Sequence, residues 1–146
     1  MVNYKELKQK ADAIAAEKHA GQKDIAGADY IGHPRRVADR CSSVKTKIVA
    51  LLHDTIEDTD VTPEYLLEQG FSQEIVDAVL SVTKRKNEDY FDFCRRAGEN
   101  KIGREVKLAD LHDNMDVSRL RYPLRKVDVD RLNKYMKAYD MLRKMK

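Results

Sequence analysis

The 146-residue sequence predicts an all-α protein, and three of its features support that class. Only six glycines and three prolines interrupt the chain. Runs that alternate apolar and polar residues, which are typical of half-buried strands, are nearly absent. Apolar residues instead recur at helical spacing, as they do between Tyr4 and His19. We therefore expect one helical domain over residues 1–146, with about eight helices.

Start and stop signals place these helices along the chain. Pro34, at a first-turn position, opens a short helix. Thr62 followed by Pro63 combines a hydroxyl cap with a proline, and Gly70 ends the helix that they start. Pro123 breaks the chain between the last two helices. The predicted helices span about residues 4–19, 34–41, 45–57, 62–70, 87–97, 102–120 and 128–145, and one more begins at Ser72.

Composition and charge narrow the function classes. The net charge of +3 suits an anionic small-molecule substrate but falls short of the basic excess expected of a nucleic-acid-binding protein. No apolar run reaches the length of a membrane span, and the first residues lack the apolar core of a signal peptide. Cys41 and Cys94 form no CxxC pair, so we expect reduced thiols and a cytoplasmic protein.

The densest group of reactive side chains lies within residues 50–59. His53, Asp54, Glu57 and Asp58 follow directly after five apolar residues. On a single helix, His53 and Glu57 would lie one turn apart, as would Asp54 and Asp58, so that all four share one face. This group is well suited to a divalent metal ion, although a solvated helix end would give a similar pattern.

One helix supplies too few ligands for a metal ion, so other segments matter. His33 precedes a proline, which restricts the backbone and can hold the imidazole in one direction. Asp110 and Asn114 are four residues apart on one predicted helical face. Asp110 lies in an apolar stripe, and burying an aspartate costs several kcal/mol unless it is paired or binds a cation. We therefore count Asp110 as a ligand, and we expect His112 and Asp113 to lie at the surface.

Seven short segments carry a recognisable pattern in a fixed order. They are Gly21-Gln22, Gly27, Tyr30-Ile31, His33-Pro34, Val37-Ala38, Ala50 to Thr59 and Val106 to Asn114. Within them, His33, His53-Asp54 and Asp110 form an H…HD…D arrangement. This arrangement resembles the signature of the HD-domain metal-dependent phosphohydrolases. The full set of segments most resembles the Rel/SpoT-type alarmone hydrolases and their small single-domain relatives.

The resemblance implies an all-helical HD fold that binds one Mn²⁺ ion. The implied ligands are His33, His53, Asp54 and Asp110. Imidazole and carboxylate ligands without thiolates suit Mn²⁺, and Fe²⁺ or Co²⁺ are accepted by similar sets. The sequence therefore leaves the identity of the metal open.

The resemblance also implies roles for four residues outside the ligand set. Glu57 and Asp58 match the catalytic pair of the family, in which one acid orients or deprotonates the attacking water and the other protonates the leaving oxygen. The sequence does not assign which acid does which. Asn114 matches an asparagine that contacts the nucleotide. Lys84 lies where relatives keep a basic residue near the phosphates.

Two short segments depart from the alarmone hydrolases, and both concern substrate recognition. The long relatives carry an Arg-Lys pair that helps to hold the guanine nucleotide, whereas this chain has Asp24 and Ile25 there. After the asparagine, relatives usually carry Met-Arg-Thr, whereas this chain has Met115, Asp116 and Val117. The sequence therefore supports hydrolysis of a phosphoester or pyrophosphate more firmly than the identity of the compound.

The preferred reaction is removal of the 3′-pyrophosphate from guanosine tetraphosphate or pentaphosphate. One alternative is hydrolysis of another nucleotide or small phosphoester at the same site. A second alternative is a non-catalytic sensor that binds a metal or nucleotide. We expect a small anionic nucleotide as the partner, no nucleic acid and no membrane, and the residues leave a homodimer open.

Overall fold

The all-α prediction is confirmed in the computed structural model, which describes residues 2–146. Within these residues the chain forms nine α-helical segments, one 3₁₀ turn and an isolated β-bridge between Lys23 and Asp29. The segments are α1 (Tyr4–Lys18), α2 (Gly32–Asp39), α3 (Val44–Leu52), α4 (Thr55–Asp58), α5 (Pro63–Glu68), α6 (Gln73–Ser81), α7 (Tyr90–Glu99), α8 (Lys101–Asn114) and α9 (Lys126–Arg143), and the 3₁₀ turn is Val117–Arg119.

Side-chain caps set the starts of most helices. The predicted hydroxyl caps are confirmed, because Thr62 Oγ1 accepts the N–H of Tyr65 at 3.0 Å and Ser72 Oγ accepts the N–H of Ile75 at 3.3 Å. The first N–H groups of a helix have no partner within it, so each cap stabilises its helix by about 1 kcal/mol. Amide or carboxylate caps of the same kind occur at Asn3, Asp89 and Asn100.

The prediction of one continuous helix over residues 45–57 is wrong. α3 ends at Leu52, and α4 begins at Thr55 as a single turn. Two side chains bond backbone carbonyls at the break: His53 Nδ1 bonds the carbonyl of Ala50 at 2.6 Å, and Thr55 Oγ1 donates to that of Leu52 at 2.7 Å. A continuing helix would need these carbonyls for its own bonds. The regular helix therefore ends immediately before His53 and the acidic residues that follow it.

The helix predicted over residues 102–120 is also shorter than expected. α8 ends at Asn114, and a 3₁₀ turn follows two residues later. Asp116 caps this turn, because its Oδ1 accepts the N–H of Ser118 at 3.1 Å. The local bond from this aspartate competes with continuation of the helix.

α3 is the central helix of the fold. Its residues Ile48, Val49 and Leu52 are fully buried, and it packs against α1, α2, α6 and α8. A second apolar cluster, which includes Leu111 and Leu142, joins α7, α8 and α9. α8 belongs to both clusters. Its position brings the start of α2, the end of α3 and the middle of α8 together at one site.

None of the helices in residues 2–146 combines the length and the apolar character that crossing a lipid bilayer requires. The longest helix, α9, has 18 residues and carries charged side chains along its whole length. The predicted state of the cysteines agrees with the fold, in which Cys41 and Cys94 are both free and buried.

Candidate active site

The four predicted metal ligands converge at the junction of α2, α3 and α8. His33 Nε2 lies 2.8 Å from Asp110 Oδ1 and 3.9 Å from Asp54 Oδ2. His53 Nε2 lies 3.0 Å from Asp54 Oδ2 and 3.4 Å from Asp110 Oδ1. We call these four residues the His-Asp cluster. The cluster brings together two imidazoles and two carboxylates from positions up to 77 residues apart.

The break after α3 lets two consecutive residues face this cluster. Neighbouring side chains on a straight α-helix point about 100° apart, so His53 and Asp54 could not both face one point from such a helix. Outside the helix, their Nε2 and Oδ2 atoms approach to 3.0 Å. The shared helical face predicted for residues 53–58 does not form, since His53 is buried whereas Glu57 and Asp58 are exposed.

Each imidazole of the cluster is held by a hydrogen bond at Nδ1, the ring nitrogen that points away from the carboxylates of the cluster. Nδ1 of His53 bonds the carbonyl oxygen of Ala50 at 2.6 Å, and Nδ1 of His33 bonds Asp113 Oδ2 at 2.6 Å. Because both partners are acceptors, both Nδ1 atoms carry a hydrogen, and Nε2 of a neutral ring is then an acceptor. In the neutral state of the rings, which binding of a metal ion requires, both Nε2 lone pairs therefore point into the cluster.

The donor set of the cluster fits a divalent metal ion. Nε2 of His53 is buried and has no hydrogen-bond partner within residues 2–146, and Nε2 of neutral His33 faces a carboxylate oxygen that is also an acceptor. A cation among these acceptors would satisfy all of them, and metal-binding histidines are typically held through their other nitrogen. One ligand atom from each of His33, His53 and Asp54 lies within 4.8 Å of the others. The cluster is thus a candidate metal site.

The expectation that Asp113 lies at the surface is wrong. This residue is 4% exposed, and its carboxylate bonds Nδ1 of His33 and accepts two hydrogen bonds from the guanidinium of Arg36, at 2.8 and 3.1 Å. α2 packs against α8 here, which covers the face that a lone helix would leave in solvent. These bonds outweigh the effect of burial and lower the pKa of Asp113 to about 2. The neighbouring His112 is exposed, as predicted.

Two further side chains hold the carboxylates of the cluster. The hydroxyl of Tyr30 donates to Asp54 Oδ2, and the ammonium of Lys107 donates to Asp110 Oδ2 at 2.9 Å. Lys107 is 7% exposed and lies 4.7 Å from the ring centroid of Phe93, so an aromatic face also stabilises its charge. Each aspartate is therefore fixed in orientation before any ligand binds.

Opposite charges within the cluster shift its pKa values in opposite directions. Burial by itself would lower the pKa of His33 and His53, but the neighbouring aspartates outweigh burial and raise both values. Burial by itself would raise the pKa of Asp54 and Asp110. The charge of His53 near Asp54 and that of Lys107 near Asp110 outweigh it, so the pKa of each carboxyl is lowered. Both carboxylates of the cluster are therefore held in the ionised state.

The predicted catalytic and substrate-binding residues line a cleft over the cluster, with a volume of about 270 Å³. Glu57 Oε1 accepts the backbone N–H of Lys84 at 2.9 Å, so the connector between α6 and α7 holds this acid in place. Partial desolvation of its carboxyl group within the cleft, with the charges of Asp54 and Glu57, raises the pKa of Asp58 to about 6. Asn114 also lines the cleft, and its amide donates to Asp110 Oδ1 at 3.2 Å.

Comparison with known proteins connects this geometry to characterised relatives. No family model matches the sequence. Over 119 residues the chain is 36% identical to a guanosine-3′,5′-bis(diphosphate) 3′-pyrophosphohydrolase of Aquifex aeolicus, which covers 73% of this chain and 17% of that protein. Over 112 residues it is 38% identical to the 3′-pyrophosphohydrolase MESH1 of Danio rerio, which covers 70% of this chain and 62% of that protein. The matches therefore span less than two thirds of either relative.

A solved structure agrees with these sequence matches. It is that of a metazoan orthologue of SpoT that hydrolyses ppGpp, and it superposes with a TM-score of 0.75 at 27% identity. The superposition covers 94% of this chain and 86% of that one. The chain is a homologue of the Rel/SpoT-type HD-domain hydrolases. The HD-domain fold predicted from the sequence is thereby confirmed.

Three residues that hold the His-Asp cluster in place were not assigned a role from the sequence. Tyr30 and Lys107 stand inside the matching segments, but nothing in the sequence indicates which atoms they contact. Asp113 could have been found, because it lies three residues after Asp110 and residues at that spacing share a helical face. The residues of the His-Asp cluster were predicted in two ways. His53, Asp54 and Asp110 were indicated by their place beside apolar residues, and the full set with His33 came from the resemblance to the HD-domain phosphohydrolases.

Proposed function

We propose that this protein is a metal-dependent phosphohydrolase that removes the 3′-pyrophosphate from guanosine 3′,5′-bis(diphosphate). This proposal rests on one observation, the buried His-Asp cluster beneath a cleft that also presents the two carboxylic acids Glu57 and Asp58. The Aquifex aeolicus and Danio rerio relatives are named for this reaction, which supports the choice of substrate. A binding protein would have no need of the two extra acids at the mouth of the cleft.

In this proposal the cluster holds one Mn²⁺ ion through His33, His53, Asp54 and Asp110. Imidazole and carboxylate ligands suit Mn²⁺ among the borderline metals. When bound, such an ion polarises a phosphoryl oxygen and lowers the pKa of a water molecule. Tyr30 and Lys107 keep the two carboxylates in place, because each occupies one of their oxygens.

The remaining residues of the cleft bind the substrate and move protons. Glu57 and Asp58 act as the acid-base pair at the scissile phosphate, where one accepts a proton from the attacking water and the other donates one to the leaving oxygen. Lys84 lines the same cleft and neutralises phosphate charge. Asn114 lines both this cleft and an adjoining recess beside the loop after α1, and so it contacts the nucleoside part of the substrate. The partner is a small anionic nucleotide, and the two unpaired thiols suit the cytoplasm.

Replacement of Asp58 tests the acid-base part of this proposal. We expect Asp58→Ala to retain Mn²⁺ by elemental analysis but to lose about 100-fold or more of its turnover, since general acid-base groups contribute about 10²–10⁴-fold. The assay follows pyrophosphate release from guanosine tetraphosphate with Mn²⁺. Asp60→Ala is the matched control, because Asp60 is an exposed acid that pairs with Lys18. Unchanged turnover in Asp58→Ala would remove this residue from the mechanism.

A second candidate function is hydrolysis of a different nucleotide at the same site. Asp24 favours it, because this residue stands where the long relatives carry a basic residue. A screen of guanosine tetraphosphate, ordinary nucleotides and generic phosphoesters with Mn²⁺ separates the candidates. Pyrophosphate release from the tetraphosphate alone supports the first proposal, and turnover of another compound alone supports the second. No turnover of any compound would leave the non-catalytic sensor.

A further inference from the structure

A second recess adjoins the cleft over the His-Asp cluster and has a volume of about 240 Å³. Tyr30, His33 and Asn114 line both spaces, so one bound molecule can occupy the cleft and the recess together. A water molecule takes up about 30 Å³ of liquid, which makes the recess large enough for a ring system. Its outer wall consists of the loop after α1 and the 3₁₀ turn after α8.

An ion pair between Asp24 and Arg119 joins these two walls. Nη2 of Arg119 donates to Asp24 Oδ2, across 95 residues of sequence. Asp24 itself is tightly held, because its Oδ1 accepts the N–H of Ala28 at 2.9 Å and its side chain is only 10% exposed. Hydrogen bonds from Arg119 and Ala28 outweigh the effect of burial and lower the pKa of Asp24. The carboxylate is therefore a fixed, ionised support for the guanidinium.

The guanidinium of Arg119 keeps donors available in the recess. Within residues 2–146 its side chain forms no hydrogen bond other than the one to Asp24, although a guanidinium carries five N–H donors. Asp116, the acid nearest to Arg119 in sequence, does not bond this guanidinium. Its Oδ1 instead accepts the N–H and the hydroxyl of Ser118. A planar donor group thus lines the recess, held at Nη2 by Asp24.

The charged side chains that line the recess are largely paired with neighbouring groups. The carboxylate of Asp24 pairs with Arg119, and that of Asp113 pairs with Arg36. The ammonium of Lys23, which also lines the recess, pairs with Asp29. In the proposed function the phosphates lie over the His-Asp cluster, so the adjoining recess receives the nucleoside. A neutral ring with hydrogen-bond acceptors suits the remaining donors of Arg119 there. Among nucleobases, guanine presents two adjacent acceptors, O6 and N7, to an arginine fork, whereas adenine has a donor amine in place of O6.

We propose that Arg119, presented by Asp24, contacts the base of the substrate and selects guanine over adenine. Arg119 is the specificity-determining residue, and Asp24 is a positioning residue that acts through it. The inference rests on the proposed function in one respect, namely that the phosphates of the nucleotide lie over the His-Asp cluster. It also accounts for an acid at position 24, since the guanidinium that contacts the base comes from position 119 instead.

Kinetics with matched substrates test this proposal. Guanosine 3′,5′-bis(diphosphate) is compared with its adenosine counterpart in the wild type and in Arg119→Ala, Arg119→Lys and Asp24→Asn. We expect each variant to raise KM for the guanine substrate by about tenfold or more, with kcat nearly unchanged and with little change for the adenine substrate. Arg119→Lys keeps the charge but loses the planar fork, so it should not restore the preference. Arg121→Ala, an exposed arginine two residues away, should match the wild type.

A binding measurement keeps this test independent of hydrolysis. Titration calorimetry with GMP and with AMP gives the ratio of the two Kd values for the wild type and for Arg119→Lys, whose fold is checked by circular dichroism. Loss of the GMP preference in Arg119→Lys supports the inference even if guanosine tetraphosphate is not hydrolysed, in which case only the proposed function fails. A guanine preference that survives in all three variants overturns the inference, whether or not the enzyme is active.

Discussion

Asp113 contributes to the candidate metal site although it does not face the site directly. Its carboxylate holds the Nδ1 hydrogen of His33, and two bonds from Arg36 hold the carboxylate in turn. This chain of contacts fixes the tautomer of the histidine, so that Nε2 is free to bind a cation. Partners of this kind are known to strengthen metal binding considerably without touching the metal.

Removing Asp113 should therefore weaken metal binding without removing a ligand. We expect Asp113→Ala to bind Mn²⁺ about 10–100-fold more weakly than the wild type, as measured by titration calorimetry. His112→Ala is the matched control, because this exposed neighbour lies on the same turn of α8 and makes no contact with the cluster. Equal Mn²⁺ affinity in Asp113→Ala and the wild type would show that the His33 ring is oriented by packing alone.

Among the elements, the connector between α6 and α7 controls the position of Glu57. Arg96 on α7 holds this connector through the carbonyls of Leu80 and Thr83, at 2.9 and 2.7 Å, and through the carboxylate of Glu88. The backbone N–H of Lys84, in the middle of the connector, then bonds Glu57. One arginine thus fixes a segment that reaches the mouth of the cleft.

The Glu88–Arg96 pair should make stability depend on pH in the acid range. Hydrogen bonds from Arg96 lower the pKa of Glu88 from an ordinary value of 4.5 to about 2. A carboxyl with a lowered pKa in the folded state stabilises the fold above its unfolded value, and this contribution is lost as the pH falls from 4.5 towards 2. At pH 7 we expect a higher free energy of unfolding by urea for the wild type than for Glu88→Gln. This difference should shrink at pH 3. A difference that is constant across this range would contradict the assignment.

At the scale of the whole molecule, the candidate metal site depends on the packing of three helices. α2, α3 and α8 each contribute at least one side chain to the cluster, directly or from the turn that follows, and none can hold a metal ion alone. A cation bound there would link segments that are distant in sequence. Because only the folded chain assembles these residues, binding should stabilise the fold.

Thermal unfolding measures this coupling between metal binding and the fold. With Mn²⁺ at about 100 times its Kd, the folded state gains about 2.7 kcal/mol, which corresponds to a rise of roughly 5–10 °C in Tm. Chelation with EDTA should reverse the rise, and His53→Ala should show no rise at the same Mn²⁺ concentration. Identical Tm values for the wild type with and without Mn²⁺ would contradict the ligand set.

The order and type of the helices followed from local patterns. Caps at Thr62 and Ser72 and the apolar spacing of α1 and α3 are properties of neighbouring residues, and so the sequence predicts them directly. Residue types beside apolar runs also indicated His53, Asp54 and Asp110, whereas the full set with His33 came from the resemblance to the HD-domain phosphohydrolases. The break at His53 was not predictable, since it depends on side chains that bond carbonyls of the preceding turn.

Contacts between distant segments were decided only when the helices packed. The burial of Asp113 requires α2 to cover α8, and the Asp24–Arg119 pair requires the loop after α1 to meet a 3₁₀ turn 95 residues later. Local spacing contains no information on which acid meets which base across such distances. The residue types therefore predicted the chemistry of the His-Asp cluster. The orientation of its side chains and the shape of the neighbouring recess arise from long-range packing.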